Sequence, residues 1–155
     1  MTTNAPDGTK MKDGYQALVL FSADATVSMW LKTVKPPGLS AGGAIDTTTM
    51  ENTRWRTMAP KSLVTATELN LRCAYDPKIH DDMNGMLGVN QLLTLTYSDG
   101  STLAVWGFVD EWTPTDLTEG EMPLGDMKFV PTNTNASDEE TAPDYTAAPT
   151  TTTSA

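Results

Sequence analysis

The residues with the greatest chemical capacity are few, and most lie in the middle of the chain. Asp76 and His80 stand four apart, with Asp81 and Asp82 close by, so an imidazole and a carboxylate could share a helix face and hold a divalent metal. The spacing is common and strong ligands are scarce, because His80 is the only histidine; a solvated acidic helix face is the expectation, with no metal site. Ile45-Asp46-Thr47-Thr48 has the order of an aspartic protease elbow, but it lacks the glycine of that turn and a second carboxylate to share the proton. Cys73 could act as a nucleophile only as a thiolate beside a base, and its position on an apolar strand face predicts an inert core thiol instead. Ala41-Gly42-Gly43-Ala44 has neither the strand–turn–helix setting nor the lysine of a phosphate loop. No acid, base and nucleophile form a set, so the chain reads as a protein without catalytic activity or cofactor.

The elements that would carry these residues are mostly strands. Val27, Met29 and Leu31 alternate with Thr26, Ser28 and Lys32, and Leu69, Leu71, Cys73 and Tyr75 alternate with Glu68, Asn70 and Arg72. Period-two patterning of this kind marks half-buried strands. Leu93, Leu95 and Tyr97 lead into the turn residues Ser98-Asp99-Gly100-Ser101, and Leu103, Val105 and Val109 follow, which predicts a hairpin. Gln16–Phe21 and Met122–Val130 supply two more strands, the latter stopping at Pro131. A single short helix is expected over about 77–87, with Asp76 as N-cap, Pro77 at N1, an apolar stripe of Ile79, Met83, Met86 and Leu87, and Gly88 to close it. The fold class is therefore mainly β, a sandwich or barrel with one flanking helix.

Lys35–Arg56 is too long for a turn and too irregular for a helix or strand. Connections of this length are usually binding loops or linkers, and Ile45, Met50 and Trp55 are too apolar for a solvated linker. Trp30, Trp106 and Phe108 fall on the polar parity of their strands, so these strands have two apolar faces. The second face must be covered by the helix, the long loop or another subunit.

Charge narrows the function classes. Twenty acidic and ten basic residues give a net charge of -10. Ten carboxylates against Lys128 alone place -9 in residues 101–155. Such a chain is a poor ligand for nucleic acid or an anionic membrane. One cysteine excludes an internal disulfide, and the polar N-terminus without an apolar h-region leads to the expectation of a soluble protein. Three segments follow: an N-terminal arm over 1–14, a β domain over 15–131 with the loop at 35–60, and an acidic Thr/Pro-rich arm over 132–155, too poor in apolar groups to offset its ordering entropy.

Several pieces in one order resemble the tail tube proteins of tailed bacteriophages over roughly Thr26–Asn133. They are Pro36-Pro37-Gly38, then Ile45-Asp46-Thr47-Thr48-Thr49-Met50-Glu51-Asn52 with Trp55-Arg56, then Ala74-Tyr75-Asp76-Pro77, and finally the YSDGSTLAVWGFV hairpin and MPLGDMKFVPTN strand. The resemblance implies a structural virion protein made in the bacterial cytoplasm. Its subunits would form hexameric rings that stack into a hollow tail for double-stranded DNA. Partners would be further copies of the chain and other tail proteins (tape measure, terminator, baseplate or tip), with DNA passing unbound and no membrane contact. The long loop would bridge subunits. Pro36, Pro37 and Gly38 would set its exit angle, Gly43 would lie at the contact, Asp46, Thr47, Thr48, Thr49 and Asn52 would hydrogen-bond across the boundary, and Ile45, Met50 and Trp55 would fill apolar pockets there, with Arg54 and Arg56 meeting acidic surface on the neighbour. Asp110, Glu111, Asp116, Glu119, Glu121 and Asp126 are the candidate carboxylates for a lumen that does not hold DNA. Capsid decoration proteins, tail terminators and carbohydrate-binding β-sandwiches with Trp30, Trp55, Trp106 and Trp112 as stacking platforms are the competing classes.

Overall fold

A computed structural model of the protein describes residues 17–23 and 30–147. The expected N-terminal arm, Gln16, the strand residues Val27 and Met29, and the last part of the C-terminal arm lie outside the described residues. The fold is mainly β with one short helix. In chain order the elements are β1 (Leu18–Phe21), β2 (Leu31–Lys35), β3 (Leu39–Ser40), β4 (Ala44–Asp46), β5 (Met58–Pro60), β6 (Thr65–Ala66), β7 (Leu69–Ala74), α1 (Pro77–Met86), β8 (Gln91–Thr96), β9 (Thr102–Pro114), β10 (Leu124–Pro131) and β11 (Asp144–Thr146).

Seven of the strands make one sheet in the order β1-β8-β9-β10-β7-β2, with β11 added beside β9. The mainly β expectation with one short helix holds, and its principal sheet is one continuous antiparallel path that ends at β1 and β2 among the described residues. The reason is the length of β9. Its first half pairs with β8 and its second half with β10, so a single strand carries the hydrogen-bond ladder across the whole body. A β-bulge helps it bend: Lys128 faces Glu111 while Phe129 faces Val109, leaving Asp110 as the extra residue. The bulge also reverses parity, so Val105 and Val109 point into the core before it and Trp112, opposite Met127, does so after it.

The core is one cluster on one face of this sheet. Leu69, Leu93, Val109 and Phe129 are fully buried there, and α1 covers them with Ile79, Met83 and Met86. Each such side chain contributes about 1.5–3 kcal/mol of burial. The helix starts as its sequence dictates: Asp76 is extended and its carboxylate accepts a hydrogen bond from the Lys78 N–H at 3.1 Å. It ends one residue earlier than expected. Leu87 is the C-cap, largely exposed and outside the apolar stripe, while Gly88 takes a positive φ of 72° and donates its N–H to the Val109 carbonyl. That bond fastens the helix end to the sheet.

Two glycines permit the close packing. A Cβ at Gly107 would lie 2.3 Å from the Val130 carbonyl oxygen, and a Cβ at Gly125 would lie 2.6 Å from the Trp112 ring, which stacks on Tyr75. The C-terminal arm departs from its expected lack of structure. Up to Ala147 it is placed, because β10 covers β9 only from Gly107 onward and the free edge at Thr102–Ala104 accepts β11. Backbone pairing supplies what the side chains of this segment could not.

Candidate assembly interface

The segment read as an irregular loop is an arm built from two short ladders in series. Leu39–Ser40 pairs with Thr65–Ala66 at its root, and Ala44–Asp46 pairs with Met58–Pro60 further out. Pro36 and Pro37 precede the root, where the Gly38 N–H bonds the Thr67 hydroxyl at 2.7 Å and its carbonyl accepts the Thr67 N–H at 2.8 Å. Alternation failed as a signal here because neither face of the arm is buried.

The tip is a dense local network. The Asp46 carboxylate accepts from the Thr48 N–H at 2.9 Å and from Arg56 at 3.3 Å, and the Thr48 bonds, with the smaller help of Arg56, hold its pKa below the ordinary carboxylate value. Thr47 and Thr57 hydroxyls bond at 3.0 Å, the Thr49 N–H bonds Asn52, and the Asn52 amide donates to the Trp55 carbonyl. The polar residues expected to bond across a boundary are therefore engaged within the arm, where they stiffen the tip. The apolar ones are not covered. Ile45 is 48%, Met50 103% and Trp55 75% exposed, and Met58, Leu63 and Val64 are exposed as well. The arm is not a lid on the core of its own chain.

A second apolar surface, only partly covered, lies on the sheet face opposite the helix. Leu18, Leu20, Leu92, Trp106, Phe108 and Val130 alternate with core residues, and cross-strand pairing sets Leu92 beside Trp106 and Phe108 beside Val130. Leu18 and Leu20 are nearly half exposed and the other four are partly buried, so this face is only partly covered within the chain.

The same face turns polar toward β2. Two rows cross four strands: Lys35, Asn70, Lys128 and Glu111 in one, Thr33, Arg72, Asp126 and Thr113 in the next. They line a shallow cleft of about 570 Å³. Arg72 bonds Asp126 through two contacts of 2.7 and 3.1 Å, and Lys128 pairs with Glu68 at 3.1 Å. The Asp126 hydrogen bonds and charge raise the Arg72 pKa, and those of Glu68 raise that of Lys128, with Asp110 and Glu111 adding to the latter. The six candidate carboxylates thus divide. Asp110, Glu111 and Asp126 border the polar rows, Asp126 already engaged by Arg72, while Asp116, Glu119 and Glu121 lie in the exposed β9–β10 connection. Arg72, Lys128 and Glu68 were not singled out in the sequence; their cross-strand register was the missing signal.

Other readings find less support in the geometry. His80 and Asp81 are exposed and Asp82 half-buried, and no cluster of three metal ligands exists among the described residues. Cys73 is fully buried, and desolvation, followed by the charge of Asp126, pushes its thiol up to about 11. Trp112 lies against Tyr75 and over Gly125, so it offers no open platform for a sugar ring. No helix among the described residues is long and apolar enough to cross a membrane. Compared with known proteins, the chain matches no family model and no curated protein.

Proposed function

We propose that this chain is the repeating subunit of a phage-type tail tube, a virion protein whose hexameric rings stack into a conduit for double-stranded DNA. The observation that carries the reading is the projecting arm, whose stiff polar network presents Ile45, Met50 and Trp55 to solvent rather than to the core. An isolated domain gains nothing from such a surface, whereas an oligomer buries it.

Two further features support the reading. The sheet is open at β1 and β2, and open edges are normally protected or paired with another chain. Asp126 and Glu68 engage Arg72 and Lys128, so two of the cations of this face are neutralised from within, as suits a wall along which DNA must slide.

Negative-stain electron microscopy with sedimentation velocity on the purified chain tests the proposal. Rings of six, or tubes built of such rings, are expected at high protein concentration. Compact trimers would favour a decoration protein, and monomers at every concentration would refute self-assembly.

A further inference from the structure

We infer that the arm tip of one copy seats in a groove on a second copy, between the root of that copy's arm and its C-terminal strand. This inference rests on the self-assembly reading and names the surface that receives the arm. The groove measures about 580 Å³, well within the ~300–1,000 Å³ of pockets that enclose ligands. Leu39, Leu63 and Val64 form one wall, Leu103 and Pro143 contribute from the sheet and the C-terminal arm, and Tyr145 of β11 closes the other side. Leu39, Leu63, Val64 and Tyr145 are each more than half exposed, a contiguous apolar surface of the kind that marks interaction sites.

Charge selects the occupant. Residues 36–64 hold Asp46 and Glu51 against Arg54, Arg56 and Lys61, a balance of +1 in a chain of -10. Residues 132–147 hold Asp138, Glu139, Glu140 and Asp144 without a cation, a balance of -4, and Glu140 lies on the groove itself. Arg56 is engaged by Asp46, whereas Arg54 lies 5.6 Å over the Trp55 ring and forms no ion pair among the described residues. The tip therefore offers an indole with a free cation beside it, and the groove offers an apolar floor with a carboxylate at its rim. The β9–β10 connection also exposes apolar groups, Leu117 and Met122, but Asp116, Glu119 and Glu121 would repel it from this site.

The arm cannot fill its own groove, because its root is one of the walls. Met50 stands eleven residues beyond Leu39, roughly 36 Å at full extension at ~3.3 Å per residue. Donor and acceptor surfaces differ, so the contact is head-to-tail and repeats: it closes into a ring or propagates as a stack according to its rotation.

Charge reversal tests the pairing. Arg54→Glu and Glu140→Arg should each raise the concentration at the assembly midpoint about tenfold, and the double variant carrying both should restore it, as opposite charges are again juxtaposed. Trp55→Ala should raise it about 30-fold, the effect of losing an aromatic anchor. Thermal melts of all four, taken below the parent's assembly midpoint, should match the parent, since both sites lie outside the core. A variant with Arg54→Cys and Glu140→Cys should form intermolecular disulfides while buried Cys73 stays silent. Unchanged assembly in the single variants, or a disulfide confined to one chain, would overturn the groove as receptor and leave self-assembly standing. A parent chain that stays monomeric would overturn both.

Discussion

Excising the outer arm separates its two conceivable roles. In the variant, residues 42–61 are replaced by a short Gly-Asn-Gly turn joining Ala41 to Ser62, which keeps the root ladder of β3 and β6. Nothing in the core depends on the removed part: Met50 and Trp55 are exposed, while Leu69, Leu93, Val105 and Phe129 are buried by one another and by the helix. Shortening the connection between Lys35 and Leu69 by more than half lowers its closure entropy by about 0.6 kcal/mol or slightly more. The net change should stay within ~1 kcal/mol, a shift of about 2–5 °C in Tm. Were the arm a lid, three buried apolar side chains would contribute about 1.5–3 kcal/mol each, and losing them would cost much of a total stability of ~5–15 kcal/mol. Circular dichroism melts below the parent's assembly midpoint read the stability of the subunit, and electron microscopy at high concentration reads assembly, which should vanish. A fall in Tm of more than about 10 °C would refute the reasoning.

Three other outcomes follow from the body of the protein. Gly107→Ala should cost more than about 3 kcal/mol, because its Cβ meets the backbone oxygen of Val130, whereas Gly125→Ala should cost about 1–3 kcal/mol and be partly rescued by Trp112→Phe; urea unfolding checks both. Cys73 should resist thiol reagents in the folded chain at pH 8. Its pKa is raised on folding from 9.0 to about 11, so its contribution is complete below pH 9 and is lost as pH rises toward 11; the stability gap between parent and Cys73→Ala should narrow over that window. Asp126→Asn frees Arg72, so assembled protein should retain duplex DNA in gel-shift assays at ~50 mM salt and release it by ~200 mM; no added retention would mean that this pair does not keep the face neutral.

Much of the body was legible because single residues report their own environment. Alternation located β7, β8 and β9, turn chemistry located the hairpin, and Asp76-Pro77 located the helix start. The second apolar face was visible in Trp106 and Phe108, though not what covers it. The arm was legible as an exception but not as a ladder, since strands with no buried face lack alternation. Its inventory was also incomplete: Leu39, Leu63 and Val64 stood apart from the residues singled out, and only the pairing of β3 with β6 gathers them into a wall. The C-terminal arm was misjudged because composition measures side-chain burial, while β11 is held by backbone bonds to an edge created elsewhere.

By itself, the sequence determined a mainly β body with a short helix after Asp76, a cysteine in the core, and an acidic stretch over residues 101–155. These are properties of residue type and local spacing, which do not depend on distant partners. The tertiary structure alone decided that β9 unites the strands into one sheet, that Arg72 and Lys128 meet Asp126 and Glu68, and that arm root and C-terminal strand enclose a groove. Those facts depend on register between segments far apart in the chain, and register is set only when the whole core packs.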